Sequence, residues 1–254
     1  MTTTIKRAYN FNAGPSALPL EVLEVAQKEL LDFQNTGMSV MELSHRSATF
    51  EAVHNGAIEL LRKIYNIPDN YEVLFLQGGA SLQFTMIPMN FLSEGKTASY
   101  VQTGAWSEKA FKEAKFFGTP VEAASTKENK YKNIPSEEDI KFNADDAYVH
   151  ITSNNTIFGT QWKVFPDTGD VPLVADMSSD ILSKPVDVSK FGIIYAGAQK
   201  NLGPSGVTVV IIRKDLLEAA NKDIPTMLKY STHADNNSLY NTPPTFGIYM
   251  LGEV

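Results

Sequence analysis

Apolar residues change their spacing several times along the chain, and each change marks an element. After an irregular, polar stretch over residues 1–18, Leu20, Leu23, Val25, Leu30, Leu31 and Phe33 recur at helical intervals. The spacing predicts a helix opened by Pro19 and closed at Gly37. A short loop, Ser44-His45-Arg46, separates it from a second helix through Phe50, Val53, Ile58, Leu61 and Ile64. Residues 71–76 then read as a mostly buried strand running into Gln77-Gly78-Gly79-Ala80-Ser81, the glycine-rich opening of a helix. Residues 96–101 predict a strand and 105–117 a helix. Further strands are expected at 120–124, 147–152, 173–175, 193–196 and 207–213. Short apolar strands separated by helices indicate an α/β fold with a mainly parallel sheet buried on both faces.

The last segment, 245–254, begins as an apolar helix (Phe246, Ile248, Tyr249, Leu251) and stops without a capping glycine or polar tail. A helix ending this way predicts a further C-terminal portion beyond the 254 residues. Composition changes the picture only by exclusion. A formal charge of −7 disfavours a nucleic-acid surface. The absence of cysteine removes disulfides and thiolate metal sites, and suits a reducing compartment. The start of the chain lacks a signal-peptide core, and no apolar run reaches the membrane-spanning length of about 18 residues. A soluble cytoplasmic protein is expected.

The chemistry concentrates in Ala196-Gly197-Ala198-Gln199-Lys200-Asn201-Leu202-Gly203, which carries one lysine from the end of an apolar strand into a glycine-rich turn. A partly desolvated lysine is the type of amine that forms a Schiff base with an aldehyde. Asp176 ends another apolar run, and a pyridoxal phosphate site needs both groups: an amine for the aldehyde and a carboxylate for the pyridine nitrogen. Taken singly, Asp176 reads first as a helix N-cap or a paired loop carboxylate, while a solvated loop lysine is the less attractive reading of Lys200, whose apolar approach would carry the amine inward. Gly78-Gly79-Ala80-Ser81, between a strand and a helix, offers backbone N–H groups to a phosphate, or is simply a tight turn. It is neither a Walker loop nor a dinucleotide fingerprint. Trp106 follows a strand and could stack on a planar ring. Asn154-Asn155-Thr156 offers polar groups at the same edge of the sheet, and Arg46 beside His45 is a fork suited to carboxylate or phosphate. His54, His150 and His233 show no metal-ligand spacing, and no metal is expected.

In chain order, Asn10-Phe-Asn-Ala-Gly-Pro-Ser16, Glu42-Leu-Ser-His-Arg-Ser47, Gln77-Gly-Gly-Ala-Ser81, Thr103-Gly-Ala-Trp106, Asn154-Asn-Thr-Ile-Phe-Gly159, Ala175-Asp-Met-Ser-Ser179, Ala198-Gln-Lys-Asn-Leu-Gly-Pro-Ser-Gly206 and Tyr240-Asn-Thr-Pro-Pro244 form a set. The set resembles the phosphoserine aminotransferases, fold type I pyridoxal-phosphate enzymes of class V. The resemblance covers the whole chain and implies a three-layer large domain over residues 16–254. It also implies an N-terminal segment, 1–15, that associates with a C-terminal small domain not present in this sequence. It assigns Lys200 to the cofactor aldehyde, Asp176 to the ring nitrogen, Trp106 to the ring face and Thr156 to the ring substituents. Ala80, Ser81 and Gln199 are implied to hold the phosphate, with Asn241 and Thr242 reaching a neighbouring subunit's cofactor. Arg46 and His45 are implied to meet the substrate's acidic groups. The implied activity is amino transfer from L-glutamate to 3-phosphohydroxypyruvate in serine biosynthesis, by a homodimer. Other readings are a different fold type I aminotransferase, such as the alanine–glyoxylate type, and a catalytically silent cofactor-binding or dimerisation fragment. A cysteine desulfurase is disfavoured by the lack of cysteine, and a nucleotide-binding α/β protein ranks last.

Overall fold

The computed structural model describes residues 6–254, so the first five residues of the expected N-terminal segment lie outside the described residues. In chain order the main elements begin with α1 (Leu20–Glu29), α2 (Ala48–Tyr65), β1 (Tyr71–Leu76), α3 (Gly79–Phe91), β2 (Thr97–Gln102), α4 (Ala105–Ala114) and β3 (Thr119–Ser125). They continue with β4 (Val149–Thr152), the short β5 (Asn154–Asn155) and β6 (Thr160–Gln161), β7 (Leu173–Asp176), β8 (Ile193–Gly197) and β9 (Thr208–Arg213). Last come α5 (Lys214–Ala219), α6 (Tyr230–Asp235) and α7 (Thr245–Glu253).

Seven strands form one sheet in the order β1-β9-β8-β7-β4-β2-β3. β8, β7, β4, β2 and β3 pair in parallel, whereas β9 runs antiparallel to both its neighbours, β1 and β8. β1 therefore points the same way as the parallel set. Residues of β7, β8 and β9 are almost wholly apolar and buried on both sides, as a sheet covered by helices on each face requires. One apolar layer joins α1, α2 and α7 to one face through Val22, Phe50, Leu61 and Ile248. The opposite layer joins α3 and α4 to the other face through Phe84, Ile87, Ala110 and Tyr195. The expected three-layer α/β fold is the one observed.

The first helix is shorter than its spacing predicts. α1 ends at Glu29, and Leu31 is fully in solvent. Phe33 reaches the core from a turn, not a helix: Gln34 and Asn35 take left-handed conformations, and the Gly37 amide donates to Asp32 Oδ1 at 2.8 Å. A turn-borne aromatic at the next expected position mimics helical periodicity. The helix beginning at Ala105 likewise stops at Ala114, leaving Phe116 exposed. α5, α6 and the reversed direction of β9 carried no signal distinct enough to read.

The histidines left without a role are packing residues. His54 is fully buried with its ring edge-on to Phe75, and His233 Nε2 lies 2.8 Å from the Met227 carbonyl oxygen. His150 stacks on Tyr100 and meets the Tyr195 hydroxyl through Nε2 at 2.8 Å. Burial pushes its pKa down from 6.5 to about 3. Because the folded value lies below the ordinary one, the stability tied to the neutral ring is fully present above 6.5 and is lost as pH falls toward 3. Ring-proton NMR of His150 is expected to stay flat from neutral pH down through 6.5. A titration centred there would mean that the layer beneath β4 and β8 is open to water.

Candidate active site

Parallel strands end at one edge of their sheet, and ligands of open α/β sheets sit at that carboxyl edge. Here the ends of β1, β2, β4, β7 and β8 deliver side chains to one cavity of about 140 Å³. β7 ends on Asp176, and β8 runs through Gly197 into Gln199 and Lys200. β4 ends on Thr152 and passes to Asn154, β2 leads to Trp106, and β1 turns into Gly79, Ala80 and Ser81.

Asp176 is 4% exposed. Its hydrogen bonds come from Ser178, whose amide and hydroxyl both donate to Oδ1, at 3.0 and 2.6 Å. Burial pushes the carboxyl up from its ordinary value, while the two Ser178 donors and the Lys200 charge pull it back. Burial also pulls the Lys200 ammonium down, opposed by the charges of Asp176 and Asp180. Lys200 Nζ donates to Thr156 Oγ1 at 2.7 Å. Thr156 is carried there by the β5–β6 hairpin, which itself is tied to the loop after β7 by Asn154 Nδ2 donating to Ser179 Oγ at 2.9 Å.

The N-terminal segment covers the lysine stem. The Ser16 amide donates to the Gln199 carbonyl at 2.9 Å, and its hydroxyl donates to the Lys200 carbonyl. A Cβ on Gly14 would fall 3.0 Å from Lys200 Cγ, so a glycine there admits the close approach. At the other end of the cavity Gly78 and Gly79 both have positive φ, 86° and 63°. A side chain at Gly78 would also meet Leu82 Cβ at 2.6 Å, so this turn into α3 suits glycine on both grounds. At the start of α4 the Ser107 hydroxyl accepts from the Thr103 and Gly104 amides at 3.0 and 3.1 Å. That cap fixes the helix turn from which Trp106 enters the cavity, and Lys109 Nζ lies 4.3 Å from its ring centroid.

The class V aminotransferase family model matches residues 8–254. Phosphoserine aminotransferase of Lysinibacillus sphaericus (strain C3-41) is 80% identical over 249 residues, covering 98% of this chain and 69% of the relative. That of Bacillus subtilis (strain 168) is 62% identical over 250 residues, with the same coverage. Among solved structures, phosphoserine aminotransferase from Bacillus circulans subsp. alkalophilus superposes with a TM-score of 0.95 at 62% identity, over 97% of this chain and 68% of that one. The pyridoxal-phosphate-bound phosphoserine aminotransferase from Trichomonas vaginalis gives 0.89 at 43% identity, over 97% and 69%.

The chain belongs to the class V aminotransferases. It is a pyridoxal-phosphate-dependent enzyme of fold type I, and the cavity residues fit that cofactor. An amine with a lowered proton affinity and a buried carboxylate share one small space. The two Ser178 hydrogen bonds go to a single oxygen of Asp176, which leaves Oδ2 for a cationic ring nitrogen. Trp106 Nε1 and Thr152 Oγ1 are buried without partners at the same place.

Of the residues expected at the site, Lys200, Asp176, Trp106, Ala80, Ser81 and Gln199 line one cavity, and Thr156 touches Lys200. His45, Arg46, Asn241 and Thr242 are not among its lining residues. Arg46, Asn241 and Thr242 are exposed, and Asn241 lines a separate cavity with Gln77 and Met227. Thr152, Ser178 and Ser179 were given no role, whereas Asn154 was read as a polar group at this edge of the sheet and does line the cavity. Ser178 had a readable signal, because a serine two residues after an aspartate is the pattern of a local side-chain turn. Thr152 had none, since a threonine inside a strand reads as β propensity.

Borohydride reduction of the protein with pyridoxal phosphate is expected to fix the cofactor on the peptide containing Lys200 and no other. Label spread over several lysines in the digest would show that the burial seen at Lys200 does not select it.

Proposed function

We propose that this chain catalyses amino transfer between L-glutamate and 3-phosphohydroxypyruvate, giving 2-oxoglutarate and O-phospho-L-serine in serine biosynthesis. The observation that carries the reading is the meeting of Lys200 and Asp176 in one cavity, within a chain 80% identical to a phosphoserine aminotransferase. Residues 16–254 are read as the cofactor-binding large domain, and residues 1–15 as its N-terminal segment.

When bound, pyridoxal phosphate supplies an aldehyde carbon for amines and a ring that accepts electrons. The protein's part follows from its own groups. The Gly78-Gly79 turn and the start of α3, with Ser81 and Gln199, present donors to the phosphate. Trp106 gives the ring a flat face to stack on. Asp176 would hold the proton on the ring nitrogen, in a buried setting that would make the pairing strong. Lys200 Nζ, kept in place by Thr156 and with its proton affinity lowered by burial, is the group that would take the proton from the substrate α-carbon. Two substrates use one amine in turn, so the kinetics are ping-pong.

The substrate acids and part of the cofactor phosphate are assigned to a second subunit of a homodimer. What supports this is the placement of Arg46, Asn241 and Thr242, exposed and away from the chain's own cavity. Arg46, with a planar fork, suits carboxylate or phosphate, and His45 adjoins it. A cytoplasmic location agrees with the cysteine-free composition.

With L-glutamate as donor and a panel of keto acids as acceptors, 3-phosphohydroxypyruvate is expected to give the highest kcat/KM, with parallel double-reciprocal lines. Preference for glyoxylate would move the chain to the alanine–glyoxylate type, and colour without turnover would make it a silent fragment. Asp176→Ala is expected to keep some visible absorbance while losing about 100-fold or more in turnover; full activity would strip Asp176 of its role.

A further inference from the structure

The carboxylate of Asp176 is useful only in one orientation, and the structure shows what sets it. Ser178 donates twice to Oδ1, through its amide at 3.0 Å and its hydroxyl at 2.6 Å. The same hydroxyl oxygen accepts from the Gly197 amide at 3.1 Å. Gly197 is the last residue of β8, three positions before Lys200. A local aspartate–serine turn is common at strand ends, but it usually closes on itself in solvent. Here both side chains are buried and the turn bonds across to the neighbouring strand.

We propose that Ser178 is the positioning residue for Asp176: it anchors Oδ1, so turns Oδ2 toward the cavity, and ties the carboxylate to the strand that delivers Lys200. The clamp is read from the protein alone, and what Oδ2 faces rests on the cofactor assignment above.

The surrounding charges make the clamp necessary. From β8, Tyr195 pairs in register with Asp176, but its hydroxyl is engaged with His150 of β4. His150 is neutral, so neither supplies positive charge. Asp180, in the loop after β7, is a like charge, itself held by Ser153 and by Gln161 Nε2 at 2.8 Å. Lys200 is the cation acting on Asp176, and burial weakens it. The Ser178 donors do not titrate, so they support the ionised carboxylate at every pH. Hydrogen bonds to charged groups are the strong ones.

Ser178→Ala removes the hydroxyl and keeps the amide. Carbon NMR of the Asp176 carboxyl in the cofactor-free chain is expected to show its titration moving to higher pH, with ionisation roughly tenfold harder. In the same variant the acid limb of pyridoxal phosphate affinity, followed by visible absorbance, is expected to move to higher pH, with a smaller change on the alkaline side. Ser178→Thr keeps the hydroxyl and is expected to follow the parent protein. An unmoved Asp176 titration in Ser178→Ala, or affinity lost by one factor at every pH, overturns the proposal. A shifted Asp176 titration in a protein that takes up no cofactor upholds the clamp and overturns the cofactor assignment instead.

Discussion

The fold is organised around a carboxylate withdrawn from bulk water, with only a small cavity before it. Asp176 ends a central strand, flanked in register by Thr152 of β4 and Tyr195 of β8. A charge in that position is costly unless it is hydrogen-bonded and paired. The structure supplies donors to one oxygen and leaves the other to the cavity, so the cost is offset in part by the protein and in part by a cation from outside. An apolar sheet of this depth would gain stability from a valine or leucine at that position. The aspartate there makes sense as a binding group, kept at some expense in stability.

The parallel arrangement is what lets remote parts of the sequence serve this carboxylate. Strands running the same way finish at the same edge, and two of the connections, β1 to β2 and β2 to β3, return through helices that start there. α3 and α4 thus begin beside the cavity, one bringing the glycine turn and the other the indole. Only β9 runs the other way, and it contributes its start, Thr208, beside Gly197. The N-terminal segment adds a lid of backbone: Ser16 bonds to the carbonyls of Gln199 and Lys200, and Gly14 lies against the lysine stem.

Most of the sheet was readable from the sequence because its strands are short apolar runs set apart by polar loops or helices, so their positions survive a shift of boundary. Lys200 and Asp176 were readable for a related reason: a charged residue closing an apolar run stands out. Thr152 and the closure by Ser16 were not, because each depends on what lies next to what in the packed whole; Ser178 showed its local turn with Asp176, but not its bond across to Gly197. The first helix was overextended because Phe33 lands at the right interval by way of a left-handed turn. Arg46, Asn241 and Thr242 differ again. Their expected roles came from resemblance, and the chain's own cavity does not include them.

Lys200 and Asp176 are best understood as one unit. The same loss of water raises the proton affinity of the acid and lowers that of the amine, so each is moved toward its neutral form. Each also opposes the other's shift, since an ionised partner stabilises the opposite charge. Each charged form is thus supported by the other across the cavity, against the burial that disfavours both. A ligand bearing positive charge at Oδ2 adds to the support of the carboxylate, and engagement of Nζ withdraws the amine's share of it. The charge on each group therefore bears on how the other meets a ligand. What Asp176 can offer a ligand depends on keeping one oxygen anchored while the other is free, which is a matter of orientation as much as of charge.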